Sequence, residues 1–135
     1  EWEQHAPGLK TLEDALRIRE SALGCFERAE SGTDGPERGR LLTSVVVGGG
    51  PTGVEMAGAL AELSRKAMAR DFRRIRPEES KVVLIEAGPR LLPMFDEKLS
   101  DYTRSKLEAM GVTVKLNTPV ENIEALFRAL RDSGD

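Results

Sequence analysis

The stretch LLTSVVVGGGPTGVE, residues 41–55, decides the fold, because three consecutive glycines join a short apolar run to a segment of helical character. The valines at 45–47 are β-branched, which favours a strand. Pro51 suits the first position of a helix, where its missing N–H removes no intrahelical hydrogen bond. A GxGxxG spacing therefore falls where a strand passes through a tight turn into a helix, the context that gives this motif its meaning.

The three glycines of this spacing, Gly48, Gly50 and Gly53, meet different physical requirements. Gly48 permits a turn that is closed to residues with a Cβ. Gly50 lets the main chain approach a pyrophosphate, and Gly53 lets the helix pack closely on the strand. The helix that begins there presents free N–H groups and about half a positive charge to an anion. The motif predicts a dinucleotide-binding turn, and the alternative is a glycine turn in an unrelated α/β domain.

The composition is that of a globular protein and gives no support to several other classes. The 135 residues include 20 basic and 23 acidic ones, so a net charge of −3 gives no reason to expect nucleic acid. No apolar run approaches the roughly 20 residues that cross a bilayer, and the first residues do not resemble a signal peptide. The single cysteine, Cys25, excludes an internal disulfide and a CxxC pair. We expect a cytoplasmic location.

The apolar periodicity predicts alternating helices and strands. We divide the chain into an N-terminal connecting helix and loop over 1–40, a βαβαβ core over 41–120 and a divergent C-terminal helix or tail over 121–135. The first predicted helix covers 12–30, with Thr11 as N-cap and Leu12 and Leu16 on its apolar stripe, and a polar loop over 31–40 follows it. The further elements are a strand over 41–47, a helix over 51–70, a strand over 81–86, a helix capped by Asp96 with Leu99 on its apolar face, and a strand over 112–116.

The order strand, helix, strand, helix, strand predicts an α/β fold. Right-handed crossovers would build a Rossmann-like three-layer domain with a parallel sheet in the order 3-2-1, preceded by the N-terminal helix. Ligands of such sheets bind beyond the carboxyl ends of the strands. These ends are residues 48–50, 86–87 and 117–118.

Glu86 stands at the end of the second predicted strand, where an acid of the dinucleotide fingerprint accepts hydrogen bonds from the adenosine ribose. It follows Gly53 by 33 residues, although about 20 are usual, and an insertion over 71–80 explains the excess. A carboxylate there would repel a 2′-phosphate, which favours NAD over NADP. Arg90 leaves NADP open, because its side chain could swing toward a phosphate. The alternative for Glu86 is a plain carboxylate at a strand end.

Other conspicuous residues have an ordinary explanation beside a functional one. Glu55, in the first turn of the helix after the glycines, either faces the nicotinamide end of the cofactor or complements the helix dipole. The basic run over 65–76 is typical of a solvated helix end and loop. Cys25 is expected to pack within its helix, and His5 is isolated. No nucleophile–base pair and no cluster of metal ligands is recognisable, so we assign no catalytic residue and no metal.

Several segments together resemble the NADH-binding part of type II NADH dehydrogenases, which are flavin-dependent NADH:quinone oxidoreductases of the pyridine nucleotide-disulfide oxidoreductase fold. The resemblance covers about residues 6 to 120. The matching segments are APGLKTLEDALRIR, VVVGGGPTGVEMAGALAEL, DFRRI, VVLIEAGPRLLPMF and KLEAMGVTVKLNTPV.

The resemblance implies NAD(H) as the cofactor of this segment, with FAD only in the parent enzyme. NADH in such enzymes stacks on FAD and passes a hydride to it, and the flavin then reduces a quinone. Glu55 would lie near the nicotinamide carboxamide and Glu86 would hold the adenosine ribose, with Ala87 and Arg90 as further cofactor-binding candidates. The turn that would hold the pyrophosphate comprises Gly48, Gly49, Gly50, Pro51, Thr52 and Gly53.

The chain also departs from the family pattern. The flavin-binding fingerprint, the later Gly-Asp segment, the antiparallel meander and the C-terminal membrane-anchoring helices are not recognisable in it. We therefore expect a truncated domain, incomplete relative to the family fold and inactive alone. Its partners would be NADH and the FAD-binding half of a parent that is peripheral on the inner membrane face. The alternatives are a folded oligomer that pairs through its exposed sheet edge, without useful nucleotide binding, and the domain of another NAD(P)H-dependent flavin reductase.

Overall fold

The computed structural model describes residues 8–32, 35–121, 125–126 and 128–129. The predicted tail over 121–135 lies largely outside these residues. A short 3-10 turn, Pro77–Glu79, precedes the second strand. The helices and strands are α1 (Leu12–Glu30), α2 (Pro36–Leu41), β1 (Thr43–Val47), α3 (Pro51–Asp71), β2 (Lys81–Ile85), α4 (Glu97–Ala109) and β3 (Val112–Lys115).

The three strands form one parallel sheet with β2 in the centre. Val46 lies beside Leu84, and Leu84 lies beside Val114. This arrangement confirms the predicted strand order and the Rossmann-like α/β fold. All three strands run in the same direction, so their carboxyl ends meet at one edge of the sheet.

Both crossover helices cover the same face of the sheet. Leu84 and Val114 on that face belong to one buried cluster with Ala57 and Ala61 of α3 and Leu107 of α4. The small side chains of α3 allow its backbone to approach the strands closely. On the opposite face Val83 and Ile85 are also buried, as expected for the central strand of a parallel sheet.

Helix α1 begins as predicted and packs against α3. Thr11 Oγ1 accepts a hydrogen bond from the Asp14 N–H at 3.1 Å, and Asp14 Oδ2 accepts one from the Thr11 N–H at 3.1 Å. This capping box satisfies two N–H groups that the helix leaves unpaired. Near the other end of α1, Phe26 and Ala29 form a second buried cluster with residues that include Met68 and Ile75.

Some local predictions were wrong. Residues 36–40 of the predicted loop and residue 41 of the predicted strand form α2, because Pro36 and Glu37 favour a helical first turn. Strand β1 accordingly begins at Thr43 instead of residue 41. Leu12 and Leu16 of the predicted apolar stripe are 77% and 49% exposed, and Leu99 of α4 is 39% exposed. Periodicity identifies a helix face but not how far the partner surface extends along it.

None of the helices within the described ranges combines the length and apolar character that a membrane crossing requires.

Candidate functional site

The carboxyl ends of the three strands meet as the strand order predicts. The Gly48 N–H donates to the Ile85 carbonyl at 2.8 Å, which joins the glycine turn to the end of β2. The Glu86 N–H donates to the Lys115 carbonyl at 2.9 Å, and the Thr118 N–H donates to the Glu86 carbonyl at 3.0 Å. Residue 86 therefore lies between the glycine turn and the segment that follows β3.

The glycine turn has the geometry that the motif requires. Gly48 has a φ of 109°, a backbone conformation that residues with a side chain rarely adopt. A Cβ at Gly53 would overlap the Gly48 carbonyl oxygen, so only glycine lets α3 start this close to the turn. A Cβ at Gly50 would meet nothing within 4 Å, so this side of the turn faces open space.

Gly49, which the motif leaves unspecified, is the most enclosed residue of the turn. A Cβ there would lie 2.7 Å from Leu91 Cδ2 and 3.1 Å from Glu86 Cβ. Its N–H donates to Glu86 Oε1 at 2.8 Å, and its carbonyl accepts from the Leu92 N–H at 2.8 Å. Sequence reasoning missed this role, because both constraints come from the loop after β2.

Helix α3 begins at this turn without a side-chain cap. Its N-cap is Gly50, which has no side chain to accept from the first helical N–H groups. The first turn of α3 contains no acidic residue, so the prediction that Glu55 lies in this turn was wrong. The positive end of the helix dipole is therefore not offset by a neighbouring carboxylate of the first turn, and it can attract an anion.

The Glu86 carboxylate is fixed at the edge of this turn. Oε1 accepts from the Gly49 N–H at 2.8 Å, and Oε2 accepts from the Gly88 N–H at 2.6 Å. The residue is half-buried. A carboxylate offers about four lone pairs, so these two hydrogen bonds hold its orientation and leave room for further donors.

Arg90 is engaged within the loop that follows β2. Its Nη1 donates to the Phe95 carbonyl at 2.8 Å and to Ser100 Oγ at 2.9 Å, and its Nη2 donates to the Pro93 carbonyl at 2.9 Å. A movement toward a 2′-phosphate would break these three hydrogen bonds. Ala87, Pro51, Thr52 and Glu55 are exposed around the same edge of the sheet.

The backbone of the charged connection before β2 is hydrogen-bonded to the end of α1, although its arginine side chains are exposed. The Glu30 carboxylate accepts hydrogen bonds from the N–H groups of Arg73, Arg74 and Ile75, at 2.8–3.0 Å. Desolvation opposes ionisation here, but these backbone N–H groups outweigh it and hold the pKa of Glu30 below its ordinary value. We call this arrangement the Glu30 clasp.

A groove of about 550 Å³ lies elsewhere, between α1 and α3. Its lining includes Ile18, Leu23, Met56 and Leu63, and it does not include the start of α3. Among the described residues, no group of three or more His, Cys, Asp or Glu side chains is placed to hold a metal ion. The strand ends therefore remain the candidate site.

Comparisons with known proteins point to one group of enzymes. A family model described as pyridine nucleotide-disulphide oxidoreductase matches residues 3–131. The type II NADH:quinone oxidoreductase NdhA of Mycobacterium tuberculosis is 48% identical over 124 residues, which are 92% of this chain and 26% of that protein. The mitochondrial external alternative NADH-ubiquinone oxidoreductase of Yarrowia lipolytica is 38% identical over 134 residues, 98% of this chain and 23% of that protein.

A solved structure gives the same result. The structure of NDH2 from Plasmodium falciparum in complex with NADH matches with a TM-score of 0.83 and 30% sequence identity, over 90% of this chain and 25% of that one. The chain thus spans about a quarter of the length of the curated relatives cited above.

Proposed function

We propose, since this chain belongs to the pyridine nucleotide-disulphide oxidoreductase family, that the carboxyl edge of its sheet binds NADH within an NDH2-like parent protein. The structure of a relative from Plasmodium falciparum is described as a complex with NADH. The parent would be a flavin-dependent NADH:quinone oxidoreductase, peripheral on a membrane, in which other segments hold FAD. This chain would contribute binding and orientation of the dinucleotide.

The uncapped start of α3 beside the open side of Gly50 is the observation that carries this proposal. The N–H groups of Gly48 and Gly49 already donate to Ile85 and Glu86. The diphosphate is therefore assigned to the N–H groups at the start of α3, in Gly50, Thr52 and Gly53. Pro51 has no N–H and sets the direction of the first turn.

Glu86 is the proposed ligand of the adenosine ribose, with Ala87 beside it. Its carboxylate is already oriented by Gly49 and Gly88, and its remaining lone pairs suit the two ribose hydroxyl groups. A 2′-phosphate at the same position would bring like charges together, which favours NADH over NADPH. Glu55, exposed on α3 beyond its first turn, is proposed to lie toward the nicotinamide end.

The chemistry would come from the bound cofactors. NADH supplies a hydride to a flavin, and the protein contributes binding, orientation and electrostatics. The residues described above bind a diphosphate and a ribose, and we assign none of them a proton-transfer or nucleophilic role. Catalysis by this chain would consist of holding the dinucleotide in a fixed direction relative to the sheet.

Calorimetric titration of the 135-residue chain with NADH tests the proposal. Gly50→Ala should weaken NADH binding at least about tenfold, since its methyl group would occupy the space assigned to the diphosphate. Gly24→Ala is the matched control, because a Cβ in α1 at Gly24 also meets nothing within 4 Å and lies away from the site. Absence of saturable binding at millimolar NADH, or equal affinity in the two variants, would contradict the proposal.

A further inference from the structure

The loop after β2 holds the glycine turn in place. Leu91 is 1% exposed, and its side chain lies against Gly49. Leu92 donates its N–H to the Gly49 carbonyl at 2.8 Å and has a φ of 49°. A left-handed backbone is unfavourable for a leucine, so other contacts must keep the loop in this shape.

Arg90 provides those contacts. Its guanidinium binds the carbonyls of Pro93 and Phe95 and the hydroxyl of Ser100, all at 2.8–2.9 Å. Ser100 is 2% exposed and lies in α4, so the guanidinium fastens the loop to a buried position of that helix. The Phe95 N–H also donates to the Leu92 carbonyl at 2.9 Å, which closes the loop on itself.

All three acceptors of Arg90 are neutral oxygen atoms, two of them carbonyls of its own loop and the third a hydroxyl in α4. A planar guanidinium with donors in fixed directions can satisfy them at once, whereas an ammonium group is a compact point charge. The arrangement thus depends on the shape of Arg90 more than on its charge. An arginine that serves to bind a phosphate would keep most of its donors available to solvent, whereas this one uses three of its five N–H donors on its own loop and on α4.

We propose that Arg90 is a positioning residue, which shapes the loop so that Leu91 and Leu92 hold Gly49 against Glu86, and that it is not a ligand of a 2′-phosphate. This inference rests on the proposed function, because the affected geometry is that of the dinucleotide site. Arg90 then supports the binding of NADH and NADPH equally. Discrimination between the two cofactors falls to Glu86.

Amide hydrogen exchange and nucleotide titration, both on the whole chain, test this role. Arg90→Ala should raise the exchange rates of the Leu92 and Phe95 N–H groups at least about tenfold, because their hydrogen bonds lose the support of the guanidinium. It should weaken NADH and NADPH binding by the same factor. Arg90→Lys should behave like Arg90→Ala, since lysine keeps the charge but lacks the planar set of N–H donors in fixed directions. Arg104→Ala, which removes an exposed arginine of α4 paired with Glu108, should change neither measurement.

The outcomes separate the possible roles. A selective loss of NADPH binding in Arg90→Ala, with NADPH affinity retained in Arg90→Lys and exchange unchanged, would overturn the inference in favour of a phosphate ligand. Unchanged exchange and affinity in both variants would also overturn it. If Arg90→Ala does not fold, Ser100→Ala removes one acceptor and should raise the same two exchange rates by a smaller factor. If the unmodified chain binds neither nucleotide, the proposed function fails, and the exchange rates alone decide whether Arg90 holds the loop.

Discussion

At both ends of the sheet a carboxylate of the protein accepts hydrogen bonds from backbone N–H groups, but only at the carboxyl end does a helix of the crossovers, α3, begin nearby without a side-chain cap. In the Glu30 clasp, one carboxylate takes the N–H groups of three successive residues, Arg73, Arg74 and Ile75. At the opposite end Glu86 takes the N–H groups of Gly49 and Gly88, while the start of α3 has no side-chain cap. The difference teaches that the same interaction ties distant segments together at one end, while at the other end it lies beside helix N–H groups that no side chain caps, where we propose that the dinucleotide binds.

The clasp joins parts of the chain that are distant in sequence. Glu30 is the last residue of α1, and its three partners lie 43 to 45 residues after it in the sequence, just beyond the end of α3. Arg38 of α2 adds to this end of the molecule, where its Nη2 donates to both carboxylate oxygens of Glu79 and to the Arg74 carbonyl. Its hydrogen bond to Glu79 is the main reason that the pKa of Glu79 lies below its ordinary value. These contacts hold α1 and α2 against the connection that leads into β2.

The largest expected effect comes from a substitution at the contact between the start of α3 and the glycine turn. Gly53→Ala places a methyl group on the Gly48 carbonyl, a backbone atom that moves only if the turn opens. We expect the free energy of unfolding, measured with urea, to fall by about 3 kcal/mol, and NADH binding to be lost. Gly58→Ala is the control, because its Cβ would meet only Leu107 Cδ2, at 3.9 Å. Equal stability of the two variants would show that α3 does not depend on this close contact.

Replacing the carboxylate of Glu86 or of Glu30 by an amide distinguishes the proposed roles of the two ends of the sheet. Glu86→Gln should weaken NADH binding about tenfold, because a charged acceptor for the ribose is replaced by a neutral one. Glu30→Gln should lower the urea midpoint and leave NADH affinity unchanged. Titration calorimetry and urea unfolding on both variants measure the two effects. The comparison of the two ends would be wrong if Glu30→Gln reduced NADH affinity as much as Glu86→Gln.

The pH dependence of the clasp is the smallest expected effect. The folded pKa of Glu30 lies below its ordinary value of 4.5. Its contribution to stability is therefore fully present above about pH 4.5 and is lost as the pH falls through the folded pKa. The difference in unfolding free energy between the unmodified chain and Glu30→Gln should shrink over this interval. A difference that stays constant from neutral pH to well below 4 would show that ionised Glu30 is not what stabilises the connection.

Much of the fold was predictable because its determinants are local. The β-branched run, the glycine spacing and the cap at Thr11 each depend on neighbouring residues, and the strand order follows from right-handed crossovers. The resemblance to type II NADH dehydrogenases is confirmed by the relatives. The assignment of the site residues to parts of NADH stays a prediction.

The missed features depend on contacts between distant segments. Nothing in the sequence around Glu30 indicates that three N–H groups 43 or more residues away donate hydrogen bonds to its carboxylate. The motif does not specify the residue at position 49, and the requirement for glycine there comes from Leu91 and Glu86, which leave no room for a Cβ. The sequence predicts that the Arg90 side chain can move toward a phosphate, but in the structure it is hydrogen-bonded within the fold. These hydrogen bonds could not be predicted from charge, because the acceptors are two backbone carbonyls and a serine hydroxyl.

The left-handed backbone of Leu92 has a consequence for any attempt to re-engineer the proposed nucleotide site. Because Leu92 donates its N–H to the Gly49 carbonyl from this backbone conformation, replacing residues 87–96 by an unrelated loop would remove a hydrogen bond that holds the glycine turn. On the proposed assignment of Glu86 to the adenosine ribose, a redesign toward NADPH would replace Glu86 and retain residues 87–96 as one block. A transplanted loop would need another set of hydrogen bonds in place of those that Arg90 donates to Pro93, Phe95 and Ser100.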